Sequence, residues 1–207
     1  SEELEGMATV AIKILGQIPA IESTELLLRK IDGHPKLVEK KGKWQLGGTL
    51  IHALVDSLLS LKIQEARGRF VKILRMIVTS DRGLASERKE VAARLLDGIV
   101  SLGNKQAAPD LFSVLTSRGD ISNDVQKKIE GLFGRAHSVY VALGLLEKNS
   151  DPSIRGSALT LLNQWDLSQL DKHFTPQEDT PAEFYPSETF LQNMIDMEEQ
   201  FTKRCQE

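Results

Sequence analysis

Apolar residues return along this chain every three to four positions, the spacing of an amphipathic helix with one face buried. In "LIHALVDSLLSL" the stripe runs through Leu50, Leu54, Leu58 and Leu61, and in "RFVKILRMIV" through Phe70, Ile73, Leu74 and Ile77. No stretch alternates apolar and polar residues for long, so nothing reads as a half-buried strand. The breaks are short: "QIPAIES", "DGHPK", "KKGKWQLGG", "TSDRGLAS", "LGNKQAAPD", "SRGDISND" and "KNSDPS". Each combines Gly or Pro with residues that stop one helix and cap the next. The pattern predicts roughly ten helices of 10 to 17 residues joined by loops of ordinary length, an all-α chain.

Three of these helices share an internal frame. Val91, Leu95 and Ile99 match Val125, Ile129 and Phe133, and both match Ile154, Ala158 and Leu162. The three anchors Val91, Val125 and Ile154 stand 34 and 29 residues apart. Each motif follows a loop with a capping polar residue, and ahead of that loop lies another apolar helix: "RFVKILRMIV", "PDLFSVLTS" and "SVYVALGLLEK" respectively. A two-helix unit returning at about 30 to 40 residues is the mark of an α-solenoid.

The strongest unit is "SDPSIRGSALTLL", with Asp151, Pro152, Ile154 and Arg155. On these residues the chain resembles the HEAT and armadillo-type repeat proteins, which carry Asp, often Asp-Pro, shortly before a Val/Ile-Arg pair opening the second helix. "ISNDVQKKIEGLF" keeps Asp124 and Val125 but has Gln126 in place of Arg, and "ASERKEVAARLL" keeps only the apolar frame. Physical chemistry fits the motif. Asp151 can cap the helix, Pro152 suits a first turn where its missing N–H costs nothing, and Gly156 and Ala158 would admit a close neighbour. The resemblance implies an α-solenoid of stacked antiparallel helix hairpins and a scaffold or adaptor role. Partner contacts are then expected on the second helices, at Arg94, Lys128 and Arg155.

The character changes after Trp165, and we divide the chain into a helical body (1–166), an acidic Pro-containing linker (167–186) and a final amphipathic helix (187–207). The linker reads as extended chain along a surface. Its aromatic pair Phe184 and Tyr185 could anchor in a groove of a partner or of this body. Residues 167–207 carry nine acids and three bases, against 20 acids and 23 bases before them, so attraction favours docking on this body. The final helix opens at a capping Ser187 and aligns Phe190, Met194, Met197 and Phe201 along one face. Such a seam usually packs in cis, but Met and Phe also adapt to partner surfaces.

Charge offers one rival reading. Lys40, Lys41 and Lys43 crowd beside Trp44, and residues 62–94 hold nine bases and four acids, with Lys62, Arg69 and Lys72 read as one helical face. Basic side chains next to an aromatic can hold phosphate and stack a base, so nucleic acid is the alternative partner. The excess is small for a dedicated nucleic-acid binder. No phosphate loop, His-Glu-x-x-His or nucleophile elbow occurs, so neither catalysis nor a cofactor is expected. His52, in an apolar helix, reads as a satisfied core residue. One cysteine, Cys205, cannot form an internal disulfide, and the acidic N-terminal stretch offers no signal-peptide pattern. An intracellular protein without a membrane span follows as the expectation.

Overall fold

The computed structural model describes residues 2–38, 48–79, 85–115, 120–165, 167–168 and 170–206. Among them there are ten α-helices and no strand. They are α1 (Glu2–Leu15), α2 (Ile21–Val38), α3 (Gly48–Ser60), α4 (Ala66–Thr79), α5 (Ala85–Gly103), α6 (Ala108–Val114), α7 (Asp120–Phe133), α8 (Arg135–Lys148), α9 (Pro152–Leu162) and α10 (Glu188–Gln206). Short 3-10 turns lie at Asn104–Ala107 and Ala182–Phe184.

The helical period explains the packing. Leu54, Leu58, Phe70, Ile73, Leu74 and Ile77 are all buried, and so are Val91, Val125 and Ile154 with the apolar residues four and eight positions after each. The helices settle into two layers. In one, α2 packs on α4, α4 on α6 and α6 on α9; in the other, α1 packs on α3, α3 on α5, α5 on α7 and α7 on α8. The continuous apolar core runs between them. The pairs α4–α5, α6–α7 and α8–α9 pack as the repeat frame predicts.

One expectation fails. The sequence frame makes α9 the partner of α5 and α7, yet α9 packs on α6, while α8 packs on α7. Ile154 is therefore buried in the layer opposite Val91 and Val125. The cause is local. A single residue, Gly134, joins α7 to α8, with φ 75° and ψ 152°. Across this joint α8 stays beside α7, in the same layer, and the last hairpin is turned over. That backbone region is essentially closed to residues with a Cβ. Ser138, fully buried, secures the corner by donating to the Gly134 carbonyl at 2.8 Å.

The cap at α9 forms as the sequence suggests, with the Asp151 carboxylate accepting from the Ser153 N–H at 2.8 Å and Pro152 in the first turn. Ala158 is fully buried. Gly156 faces open space, so it does not serve a close helix approach.

Candidate partner surfaces

Asp and Arg or Lys residues on the polar faces meet across neighbouring helices. Within one layer Asp32 of α2 pairs with Arg69 of α4 at 3.0 Å, and Arg67 of α4 pairs with Asp110 of α6 at 2.9 Å. Within the other, Asp56 of α3 pairs with Arg94 of α5, and Asp97 of α5 with Lys128 of α7 at 2.5 Å. Half-exposed pairs of this kind contribute about 0–1 kcal/mol each, so they set helix register more than they stabilise. Desolvation at the α4–α6 contact pushes the Asp110 carboxyl above its ordinary range, and the Arg67 and Arg75 charges only partly offset it.

These pairs decide where several expected contact residues stand. The guanidinium of Arg94 and the ammonium of Lys128 are engaged within the chain. Arg155 is exposed and donates to the Leu146 carbonyl at 3.1 Å, tying α9 to α8. In the basic region Arg69 is committed to Asp32, and Lys62 and Lys72 are exposed. Lys62 does not share a helical face with Arg69 and Lys72. It lies in the turn between α3 and α4 with φ 53°, outside either helix. Lys40, Lys41, Lys43 and Trp44 fall outside the described residues.

The linker lies against α8 as a strap. Phe174 stacks on Tyr140 of α8, ring centroids 4.0 Å apart and 7° from parallel, and tilts against Tyr185 at 5.3 Å. The Tyr140 hydroxyl accepts from the Asp171 N–H at 2.9 Å, and that of Tyr185 accepts from the Gln177 N–H at 3.0 Å. The Gln177 side chain donates to the Phe133 carbonyl at 2.9 Å. Gly144 lets the strap backbone touch the helix: a Cβ there would lie 2.1 Å from the Phe184 carbonyl oxygen. Phe184 and Tyr185 are consequently buried on this chain and form no exposed anchor. The side chain that sequence reasoning missed is Lys105, itself buried, whose ammonium holds Gln177 Oε1 at 2.6 Å and the Asp179 carboxylate. The Lys105 hydrogen bond, foremost, draws the Asp179 carboxyl below its usual range. Its position gave no signal, because "LGNKQAAPD" reads as an ordinary loop until the strap is folded over it.

At the end of the strap Glu147 of α8 accepts from the Ser187 N–H at 2.7 Å and the Ser187 hydroxyl at 2.5 Å. Ser187 in turn accepts from the Phe190 N–H at 3.2 Å, the expected cap of α10. From there α10 leaves the body. Leu191 is buried, and Phe190, Met194 and Ile195 are half-buried against the core. Met197 and Phe201 are 63% and 65% exposed. The predicted seam is thus split, its first half used in cis and its second half open.

A second open apolar face lies at the far end of the array, on α1, where Met7, Val10 and Ile14 are 70%, 57% and 53% exposed. Ile18 and Ile21 extend it into the turn to α2.

His52 is half-buried between α3 and α5, its Nε2 without a hydrogen bond and 3.8 Å from Glu90 Oε1, so it is not the satisfied core histidine expected. Among the described residues no group of three or more His, Cys, Asp or Glu could hold a metal ion. A cleft between α4, α6 and α9, lined by Arg75, Thr79, Leu115 and Ser153, encloses about 210 Å³. That is below the roughly 300–1,000 Å³ of small-molecule sites. No described helix is long and apolar enough to cross a membrane. No family model, no curated protein and no solved structure matches this chain.

Proposed function

We propose that this chain is a protein-interaction scaffold: a short HEAT/armadillo-like α-solenoid of stacked helix hairpins that engages another protein through the outer half of α10. The observation that carries this reading is the half-used seam. The body completes its core with Leu191 and its half-buried neighbours, while Met197 and Phe201 remain in water one turn apart on the same face. Solvating two large side chains on a stripe that continues a buried one is unfavourable, and a helix that fits an apolar groove removes the cost. Met adapts its shape to the groove it meets, and Phe supplies a rigid anchor. Stacking of α4 on α6 and α5 on α7 supports the solenoid reading, and the overturned α8–α9 hairpin supplies the platform on which strap and α10 are built.

The test is affinity purification of the full chain beside its Met197→Glu/Phe201→Glu variant, followed by mass spectrometry. Specific partners recovered with the parent and lost with the variant, at unchanged helicity, support the reading. Equal recovery removes α10 from it. Recovery of DNA or RNA instead, weakening log-linearly with added salt, would replace it with the nucleic-acid reading through Lys62 and Lys72.

A further inference from the structure

We infer that the surface which receives the outer half of α10 is the exposed face of α1 on a second copy of this chain, so that copies join head to tail. This rests on the proposed docking role of α10 and names its partner. Nine large apolar residues are strongly exposed among the described ones, and all but Leu159 fall on the α1–α2 end or on α10. One heterologous contact covers both patches, whereas a symmetric α1–α1 contact leaves Met197 and Phe201 in water.

Charge selects the direction. The apolar stripe of α1 ends beside Lys13, while α10 carries Asp196 just before Met197 and Lys203 just after Phe201. Laid antiparallel with Phe201 opposite Met7, α10 brings Met197 to Val10 and Ala11. It also sets Asp196 beside Lys13, opposite charge against opposite charge. A parallel arrangement with Met197 opposite Met7 places Lys203 by Lys13, like against like.

Reach makes the contact intermolecular. Helix α10 is anchored to α8 through Ser187 and Glu147, and its 19 residues extend about 28 Å at 1.5 Å per residue. From α8 to α1 the layer takes four helix-to-helix steps through α7, α5 and α3, about 32–40 Å at 8–10 Å each. Within one chain α10 and α1 do not cover each other, since Met7, Val10, Met197 and Phe201 all stay exposed in it. A heterologous contact that does not close continues from copy to copy.

Sedimentation velocity on the full chain, its Met197→Glu/Phe201→Glu variant and a Met7→Glu/Val10→Glu variant decides the matter. The altered side chains are exposed, and circular dichroism checks that each variant is folded. The parent is expected to gain mass with concentration beyond a dimer, and each variant alone to sediment as a monomer. An equimolar mixture of the two variants, which retains one intact tail and one intact face, should form a one-to-one complex and stop there. A parent that is monomeric throughout overturns the inference. So does a dimer that survives the α10 changes but not those in α1, or a mixture that stays monomeric. If the parent is monomeric while the α10 variant still loses a partner in the affinity experiment, the self-association fails and the docking role of α10 stands.

Discussion

Replacing Gly144 by Ala puts the seating of the strap to a test in which two physical effects oppose each other in sign. Gly144 lies in the middle of α8, where Ala is favoured over Gly by about 1 kcal/mol. An added Cβ, however, meets the Phe184 carbonyl oxygen at 2.1 Å, its carbon at 2.6 Å and the Tyr185 carbonyl carbon at 2.7 Å. Ordinary contact begins near 3.4 Å, so backbone on one side must retreat by about an ångström, and neither side is the end of a flexible side chain. Forcing such a shift costs about 1–3 kcal/mol. Full release exposes Phe184 and Tyr185, about 1.5–3 kcal/mol each, partly offset by the chain entropy the strap regains. Subtracting the helix gain from the cost of the shift leaves a loss of up to about 2 kcal/mol. Gly68 and Gly156 serve as controls, since a Cβ at either meets nothing within 4 Å. Their Ala variants should gain up to about 1 kcal/mol. Urea unfolding measures all three, and hydrogen exchange across 170–186 reports whether the strap has loosened. A Gly144→Ala protein that is stabilised like the controls, with strap protection unchanged, would refute the close approach.

Other outcomes follow from the same geometry. Gly134→Ala should cost about 1–3 kcal/mol although its Cβ meets no neighbour, because only the backbone angle is wrong; stability within error of the parent would show that α7 and α8 meet differently. Acid should act oppositely on two carboxylates. Asp179 has a depressed folded pKa, so its contribution is present at neutral pH and fades as pH falls through that value, whereas Asp110, raised by desolvation, favours the folded state as it takes up a proton. Denaturation curves of Asp179→Asn should therefore lose part of the parent's acid sensitivity, and those of Asp110→Asn should gain some. Lys105→Met should raise hydrogen exchange at Gln177–Thr180 while leaving α1–α5 protected; uniform loss of protection would mean that Lys105 supports the core and not the strap. The Met197→Glu/Phe201→Glu changes should alter folding stability by less than about 0.5 kcal/mol, since both side chains already face water.

Helix formation, helix pairing and much of the core were legible in the sequence, because a 3.6-residue apolar period and a cap at Asp151 or Ser187 are local properties of consecutive residues. The pairing of α4 with α5, α6 with α7 and α8 with α9 follows from short connections between amphipathic faces. Which layer each helix joins does not. That choice turned on one backbone conformation at Gly134, and a lone glycine between two apolar helices looks the same in sequence whether it continues the alternation or breaks it. The fates of the polar residues were equally hidden. Arg94 and Lys128 read as partner contacts, and Arg69 as part of a basic face, until the packing brings Asp56, Asp97 and Asp32 beside them from positions 31 to 38 residues away. Lys105 and Asp179 lie 74 residues apart and meet only because the strap returns over α8. Periodicity alone identified the stripe on α10, but its division into a buried half and an open half depends on how far the body extends beneath it. Local order in a chain comes from neighbours in sequence; exposure and pairing come from neighbours in space, and only the folded array supplies those.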